Sequence, residues 1–385
     1  MTVARQTGDR EGDDREADVT DDITYRDLDR SDGPALTAVN RACRIGADFS
    51  FYFERGADFF RWPDLVFDDA RYVGIFRGDA LRGYVMAARY RGFDGAGPSM
   101  LLYGGDARLL PADRGSRRSV QAAMRLLSDL PADTPVGYGL VKDGNAPADT
   151  LVRTTEVEGA YGRELVRFEV ANIPLLRRIR PAGVCKVRRA RPADAEAIAA
   201  LTEGVTGRRP FAPLWSVERW DRFLRDSPGL GYERYYLAER DGRVVGGLAA
   251  WDRAEVLSTV VLGWPWWGPV LRTAWGLGRR AFRQLAPLPA AGEAFRALAL
   301  TRVAVRDRDP GVLRDLVAAV AADHLGHGYH MLHVGLTMDD PLRRALDGIP
   351  RQRFRSRIHA MLRRGTSEAW PAERLTDPYV ELAFL

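Results

Sequence analysis

The chain of 385 residues has little cysteine and lysine. Its two cysteines, Cys43 and Cys185, lie far apart in no metal-ligand spacing, which favours a reducing cytoplasm over a disulfide-stapled secreted fold. Of the 57 basic residues, only Lys142 and Lys186 are lysines. Such an arginine bias is more typical of genome composition than of nucleic-acid binding, so we expect no nucleic-acid partner.

Long apolar runs are also missing. Residues 256–271 are apolar, but the run is short and contains Pro265 and Pro269, so it is not expected to span a bilayer. The N-terminus shows no basic-then-apolar signal pattern. We therefore expect a cytoplasmic protein without a membrane span.

The charge is divided unevenly along the chain. Residues 1–22 carry eight acidic residues and three arginines, a net charge of −5, and predict a disordered acidic leader. Subtracting −5 from the total of +5 leaves +10 on the remaining chain. A basic body suits an anionic cofactor, and would equally suit a tRNA or an anionic membrane surface.

The two halves of the chain resemble each other in a weak but ordered way. Residues 25–39 align with residues 187–201, and each segment begins as a short strand. In both, the strand leads through an aspartate, Asp32 or Asp194, that we expect to cap the following helix. The apolar content of 46% is typical of globular chains, and this length favours two domains.

The repeat continues to the end of each half. Hairpins are predicted at residues 72–86 and 235–249, around Gly-Asp and Asp-Gly turns. The next elements in the first and second copies are a strand at 100–110 and 297–305, a helix at 117–130 and 310–325, and a strand at 136–141 and 331–336. We therefore predict a mixed α/β fold with two tandem domains, residues 23–180 and 185–370.

The clearest site signal is the turn from Pro111 to Ser116. It joins an apolar strand to a basic helix, an arrangement that presents backbone N–H groups and a helix N-terminus to a phosphate. This turn resembles the carrier loop, Arg/Gln-x-x-Gly-x-Gly/Ala, of the GCN5-related N-acetyltransferase superfamily. The resemblance covers nearly the whole folded chain, in a tandem arrangement, and implies an acyl-CoA N-acyltransferase-like fold in each copy.

The resemblance implies that acetyl-CoA, or another acyl-CoA, binds to the first copy. The carrier-binding positions that it implies are Leu109, Leu110, Arg114, Gly115, Ser116, Arg117, Arg118, Ser119 and Asn145. Arg117 and Ser119 depart from the family, which has small residues there because a side chain obstructs the approach of a phosphate. Arg117 could instead contact a phosphate directly. Asn145 matches an Asn-x-x-Ala segment that lies beside the pantetheine in the family.

The second copy keeps less of this pattern. Arg308 and Gly311 match the loop, but Asp307 and Asp309 place negative charge where phosphates would lie. Leu313 fills the position of a small residue. We therefore expect the second copy to be degenerate as a carrier site.

Acyl transfer to an amine requires a proton acceptor and a group that polarises the thioester carbonyl. In a fold of this type, backbone N–H groups near Leu109 and Leu110 could polarise the carbonyl. Asp106, in an apolar run of the same strand, is our candidate general base. The alternative is that Asp106 caps a bulge beside Gly104 and Gly105 or pairs with the neighbourhood of Arg108.

A tyrosine that protonates the leaving thiolate is usual in the family, and Val152 stands at that position here. Tyr103 is the candidate acid that we choose, with Tyr138 and Tyr161 as alternatives. Glu54, Asp68 and Asp69 lie where the family has substrate loops, although an ordinary solvated face is the simpler interpretation.

Two other features allow a functional and a structural interpretation. His324, His327, His330 and His333 recur every third residue, but they cross a helix end, a turn and a strand, so we expect no metal site. The tryptophan-rich stretch 263–269 predicts an insertion packed on the sheet or the other copy. It could also form an acyl or aromatic pocket, or an interfacial membrane patch with Arg279, Arg280 and Arg283.

The leading interpretation is an acyl-CoA-dependent N-acyltransferase acting on a small-molecule or peptide amine, with a homodimer left open. Within the transferases, the alternative is an enzyme that uses aminoacyl-tRNA to extend peptides, because such proteins resemble two of these domains fused. From another class, the alternative is a non-catalytic tandem scaffold or acyl-CoA sensor.

Overall fold

The computed structural model describes residues 23–46, 48–114, 121–122, 125, 134, 136–146, 148–149, 161–362 and 372–384. The predicted leader at 1–22 and most of the helix predicted at 117–130 lie outside these residues. None of the described helices is long and apolar enough to cross a membrane.

The described strands and helices follow the predicted order. The strands of the first half are β1 (Ile23–Leu28), β2 (Ser50–Glu54), β3 (Asp69–Arg77), β4 (Ala80–Phe93), β5 (Pro98–Leu109), β6 (Val136–Lys142) and β7 (Tyr161–Pro174). Those of the second half are β8 (Lys186–Arg189), β9 (Tyr235–Arg240), β10 (Arg243–Asp252), β11 (Ser258–Gly263), β12 (Ala294–Phe295), β13 (Ala297–Val305), β14 (Met331–Thr337) and β15 (Gln352–Leu362). The helices are α1 (Gly33–Ala42), α2 (Arg61–Val66), α3 (Ala195–Val205), α4 (Val217–Asp226), α5 (Gly268–Ala281) and α6 (Pro310–His324).

Twelve strands form one mixed sheet in the order β1-β3-β4-β5-β6-β15-β7-β14-β13-β10-β9-β8. Read from either edge, this order passes through equivalent strands of the two copies. The β5–β6 and β13–β14 pairs are parallel, and each lies at the same place within its copy. The mixed α/β fold predicted from the sequence is therefore confirmed.

The two copies exchange their last strands. β7, from the first half, pairs with β14, and β15, from the second half, pairs with β6. β7 and β15 also pair with each other at the centre of the sheet. The strands of the two copies therefore interlock, although the sequence repeat divides near residue 180.

Asp32 and Asp194 do not act as predicted. Each accepts a backbone N–H of the turn before its helix and pairs with an arginine of the preceding strand, Arg26 at 2.6 Å or Arg188 at 2.7 Å. Neither side chain bonds to an N–H of the following helix, so the prediction of two helix caps was wrong. The strand arginines draw the carboxylates back toward β1 and β8.

The β9–β10 hairpin turns at Asp241 and Gly242, whose φ angles are 52° and 71°. Two left-handed residues in a two-residue turn match the twist of the paired strands, and Asp-Gly adopts them readily. This accounts for the Asp-Gly signal in the sequence.

The tryptophan-rich insertion lies between β10 and β13 and comprises β11, α5 and β12. β11 pairs with β2 of the first copy, so the two copies build a second, three-stranded sheet. The ring centroid of Phe49 lies 5.2 Å from that of Trp264 and 5.9 Å from that of Phe295. The predicted packing of the insertion against the other copy is therefore confirmed.

The largest apolar core contains side chains of both halves. Trp62 and Tyr90 from the first half, Trp251 from the second, and Phe384 near the C-terminus belong to the same buried cluster. The indole N–H of Trp62 donates to the carbonyl oxygen of Ala383 at 3.0 Å. Residues 379–384, called here the C-terminal segment, thus run through the interior between the copies.

Candidate active site

A cleft begins where β5 leaves β6 in the first copy. The two strands pair only at residues 102–104 and 137–139, whereas β5 stays paired with β4 up to Leu109. Gly104 and Gly139 lie at the apex of the cleft. A Cβ on Gly104 would come within 2.7 Å of the end of the Met361 side chain on β15, so Met361 packs directly against the backbone at this point.

Asp106 is the residue at which β5 bulges beside this cleft. Its φ is 45°, and the register between β4 and β5 shifts here. The carboxylate is 4% exposed and lies 2.6 Å from the Arg55 guanidinium. It also lies 3.2 Å from Arg108. The predicted burial of this carboxylate is confirmed, and so is the alternative that it pairs with the neighbourhood of Arg108.

Arg55 follows β2 and was missed by the sequence analysis. Its side chain is 4% exposed, and the guanidinium lies 4.2 Å from the centroid of the Trp62 ring. A buried charge is costly unless a counter-ion accompanies it, so Arg55 and Asp106 depend on each other. The only sequence signal was that Arg55 is one of two arginines within the aromatic-rich residues 49–67.

Three buried tyrosines surround this ion pair. Burial raises the pKa of Tyr72, Tyr84 and Tyr103, and the charge of Asp106 raises each of them further. The phenols therefore stay protonated, as a proton donor must. The Tyr103 hydroxyl lies next to the bulge, because a Cβ on Gly105 would be 2.9 Å from it.

The other two candidate acids lie farther along the sheet. Tyr138 is buried on β6, with its ring centroid 5.4 Å from that of Tyr103. Tyr161 begins β7, and its side chain lies outside the described residues, as does Val152. Of the two candidate tyrosines whose side chains the structure describes, Tyr103 is the one that lies next to the bulge.

The end of β5 is held on both sides. The Leu109 carbonyl accepts from the Cys43 thiol at 3.3 Å and from Arg114 Nε at 3.4 Å. The Leu110 N–H donates to the carbonyl of Arg82 on β4 at 3.0 Å. Because backbone groups alternate along a strand, the Leu109 N–H points away from β4, toward the cleft.

The turn after β5 is fixed by Asp113. Its buried carboxylate pairs with Arg82 at 2.8 Å and Arg77 at 3.2 Å, both on the β3–β4 hairpin. Arg114 follows at the surface. The predicted carrier loop follows this turn directly. Its residues Gly115, Ser116, Arg117, Arg118 and Ser119 lie outside the described residues.

Asn145 follows β6 on the other side of the cleft. Its side-chain oxygen accepts the N–H of Ala148 at 3.5 Å, so it opens a helical turn. Arg357 on the exchanged strand β15 pairs with Asp149 in this turn. The exchanged strand therefore supports the segment predicted to lie beside the pantetheine.

The second copy has the same bulge with the opposite charge. Arg302, at the equivalent position of β13, has a φ of 55° and is buried with Glu381 of the C-terminal segment at 3.2 Å. Both oxygens of Glu381 also accept the backbone N–H of Arg302 at 3.3 Å. Tyr379 donates to the same carboxylate at 2.8 Å. The C-terminal segment therefore occupies the cleft of the second copy.

The N-terminus of α6, the counterpart of the carrier loop, is also occupied. The Asp309 carboxylate accepts the N–H of Gly311 at 2.8 Å, as a helix N-cap does. A Cβ on Gly311 would lie 3.0 Å from the side chain of Val184, in the residues that join the two copies, so this joining segment packs against the turn. The predicted negative charge thus lies at the helix N-terminus itself.

The other candidate acidic residues form ion pairs near the surface. Glu54 pairs with Arg41 at 2.7 Å and Asp69 with Arg89 at 2.8 Å. Asp68 pairs at 3.0 Å with an arginine of α4 and so joins the two copies. The solvated-face interpretation accounts for Asp68 and Asp69, which are exposed, but not for Glu54, whose side chain is 17% exposed.

Three of the four histidines, His324, His330 and His333, occupy different surroundings. His324 lies at the end of α6, where burial lowers its pKa to about 4, and burial on β14 lowers the pKa of His333 to about 3. His330 lies at the surface with its ring against backbone groups. In the part of the chain that the structure describes, no group of three or more His, Cys, Asp or Glu side chains is placed to hold a metal ion.

The fold is similar to several solved N-acyltransferases. A GCN5-related N-acetyltransferase from Sphaerobacter thermophilus is 17% identical; the match covers 89% of this chain and 96% of that one, with a TM-score of 0.54. Saccharomyces cerevisiae N-myristoyltransferase with bound myristoyl-CoA is 10% identical, with 89% and 79% covered and a TM-score of 0.59. A GCN5-related N-acetyltransferase from Kribbella flavida is 15% identical, with 89% and 72% covered and a TM-score of 0.51.

The sequence matches no protein-family model and no curated protein. The likeness therefore lies in the arrangement of strands and helices. The chain has the fold of the GCN5-related N-acetyltransferase superfamily, as its sequence resemblance implied.

Proposed function

We propose that the protein is an acyl-CoA-dependent N-acyltransferase whose first copy binds the carrier and performs the reaction. The observation that carries this proposal is the difference between the two clefts. In the second copy, the C-terminal segment and the Asp309 cap occupy the positions that a carrier would take. In the first copy, the bulge residue Asp106 pairs with Arg55 instead of with the C-terminal segment. The turn after β5 ends in Arg114, a cation, where the second copy has the Asp309 cap.

The second copy also indicates what the bulge can bind. There, the N–H of the bulge residue Arg302 donates to a carboxylate oxygen. By equivalence, the N–H of Asp106 would meet the oxygen of an acyl thioester, with the Leu109 N–H nearby. Backbone donors placed at a developing oxyanion stabilise the transition state of acyl transfer. Leu110 is not a donor in this proposal, because its N–H is bonded to Arg82.

The reaction joins the amine nitrogen to the acyl carbon and breaks the carbon–sulfur bond. The nitrogen loses a proton and the thiolate gains one. We propose Asp106 as the proton acceptor and Tyr103 as the proton donor, because both lie at the bulge. Arg55 and Arg108 hold the Asp106 carboxylate in place.

The carrier would lie along the cleft with its phosphates toward the turn after β5. We propose that Arg114 and the loop that follows it bind the pyrophosphate, and that Asn145 lies beside the pantetheine. Acetyl-CoA and longer acyl-CoA molecules share these groups, so both are candidate donors.

Isothermal titration with acetyl-CoA and octanoyl-CoA tests carrier binding. We expect Arg114→Ala to raise Kd about tenfold, because a charge-assisted hydrogen bond to phosphate is lost. Arg308→Ala, at the equivalent place in the second copy, is the control and should leave Kd unchanged. An unchanged Kd in Arg114→Ala, or no binding of either carrier to the wild type, would contradict the proposal.

Turnover is tested by thiol release over a panel of primary amines. Asp106→Asn and Tyr103→Phe should each lower kcat about a hundredfold with little change in carrier Kd, because general acid–base catalysis contributes about that much. Retained turnover in either variant rejects that residue's role. Carrier binding by the wild type without turnover would support the sensor interpretation instead.

A further inference from the structure

The helix of the insertion turns an apolar face to solvent. Trp266 is 91% exposed, Val270 72% and Leu277 56%. With the exposed Ala274, these residues recur at helical spacing, and they are called here the α5 face. Phe282, which follows the helix, is 56% exposed. Large apolar side chains grouped in this way mark an interaction surface.

The opposite side of the helix holds it in this orientation. The indole N–H of Trp275 donates to the carbonyl of Ala286 at 2.8 Å, and Arg279 Nε donates to that of Leu285 at 2.8 Å. Trp264, just before the helix, donates to Pro289 at 3.0 Å. Because these bonds tie α5 to the segment that returns along it, the α5 face points outward as a fixed part of the structure.

The charge around the α5 face has one sign. Between Glu255 and Glu293 the chain has no acidic residue, but it has four arginines. Two of them are exposed beside the α5 face, Arg280 on the helix and Arg283 just after it, whereas Arg272 is exposed on the opposite side of α5. Tryptophan and aliphatic side chains flanked by exposed arginines suit the boundary between lipid headgroups and acyl chains.

We propose that the α5 face docks on the surface of an anionic lipid bilayer, with α5 lying in the plane of the interface. The apolar side chains enter the headgroup boundary, and the arginines contact lipid phosphates. This docking does not depend on the proposed transferase activity. It would, however, bring the candidate site close to the membrane, because β11 leads into the helix and pairs with β2, which ends one residue before Arg55.

Sedimentation with phosphatidylcholine vesicles, with and without phosphatidylglycerol, tests the proposal. The full-length protein should bind the vesicles that contain phosphatidylglycerol, and high salt should weaken binding. The double variant Val270→Asp/Leu277→Asp should lower the partition coefficient at least about tenfold, because burial of two apolar side chains is lost. Replacing Arg280 and Arg283 by Gln should lower it about fivefold per charge.

The matched control is Leu176→Asp, which changes another exposed leucine and should bind like the wild type. Circular dichroism melting should show that the double variant folds normally. Equal partitioning of the wild type and the double variant, or no binding to either vesicle, overturns the proposal. So does a wild-type dimer in analytical ultracentrifugation that the double variant abolishes, since the face would then bind a second copy.

Discussion

Asp106 and Arg302 are equivalent residues with opposite charges, and each is buried with its own counter-ion. The bulge makes this possible because a left-handed residue re-aims its side chain out of the regular alternation of the strand. In the second copy, the counter-ion comes from the C-terminal segment, so an ion pair fixes the part of the chain that fills the cleft. In the first copy, it comes from Arg55.

The Arg302–Glu381 pair gives a stability prediction. Both side chains are 1% exposed, so Glu381→Gln leaves a buried guanidinium without its counter-charge. We expect the free energy of unfolding to fall by about 3–5 kcal/mol in urea denaturation. Asp27→Asn, which removes an exposed partner of Arg71, is the control and should have little effect. Equal decreases in the free energy of unfolding for the two variants would contradict the prediction, because the buried pair would then contribute no more than the exposed one.

His333 gives a pH prediction. Burial, and next the charge of Arg253, lower its pKa from 6.5 to about 3 in the folded protein. Below pH 6.5 the unfolded chain therefore binds a proton that the folded chain does not, and stability falls as the pH falls toward 3. Because of His333, the free energy of unfolding falls by up to about 1.4 kcal/mol for each unit by which the pH falls.

His333→Leu should flatten this dependence by one proton. Free energies of unfolding, measured in urea at several pH values between neutrality and pH 4, provide the test. The slope is the quantity to compare, because the substitution also changes packing at every pH. Identical slopes for variant and wild type would reject the prediction.

At the scale of elements, the C-terminal segment links the two clefts. Glu381 lies at the bulge of the second copy, while the Phe384 ring centroid lies 4.6 Å from that of Phe67 and 5.9 Å from that of Tyr103. The segment thus packs beside the candidate site of the first copy while it fills the cleft of the second.

Phe384→Ala should lower the free energy of unfolding by about 3–5 kcal/mol, because a buried aromatic ring is lost from a close-packed cluster. Phe282→Ala is the matched control: its ring is 56% exposed, whereas that of Phe384 is 1% exposed. Urea denaturation compares the two. A loss of similar size at both positions would mean that the segment adds little to the core.

The strands and turns that the sequence predicted correctly are those whose formation depends on residues close by in the chain. Apolar alternation and Asp-Gly or Gly-Asp turns act within a few residues. They placed the turns of both hairpins correctly, and β5, β6, β13 and β14 close to their observed ends, whereas β4 extends to Phe93, beyond the predicted end at residue 86. The predicted caps at Asp32 and Asp194 failed because strand arginines compete for the carboxylates. Arg55 was missed because its partner is 51 residues away in the chain.

At the scale of the whole molecule, the repeat predicted two domains, whereas the strands form one sheet. The sequence repeat cannot reveal strand exchange, because the residue patterns of β7 and β15 are the same whichever copy each strand joins. Only the pairing of β7 with β14 and of β15 with β6 reveals it. The asymmetry of the two clefts was partly predictable, since Asp307 and Asp309 already opposed a phosphate in the second copy.

Strand exchange predicts that neither half folds alone. Residues 23–180 would lack β15 and leave β7 without β14, and residues 185–385 would lack β7, so each half would expose unpaired strand edges. Expressed separately, each should show no cooperative unfolding transition, whereas co-expression should give a complex that unfolds cooperatively, as the full chain does. Circular dichroism with urea measures this. A cooperative transition in residues 23–180 alone would contradict the prediction, because the first copy would then complete its sheet with its own strand.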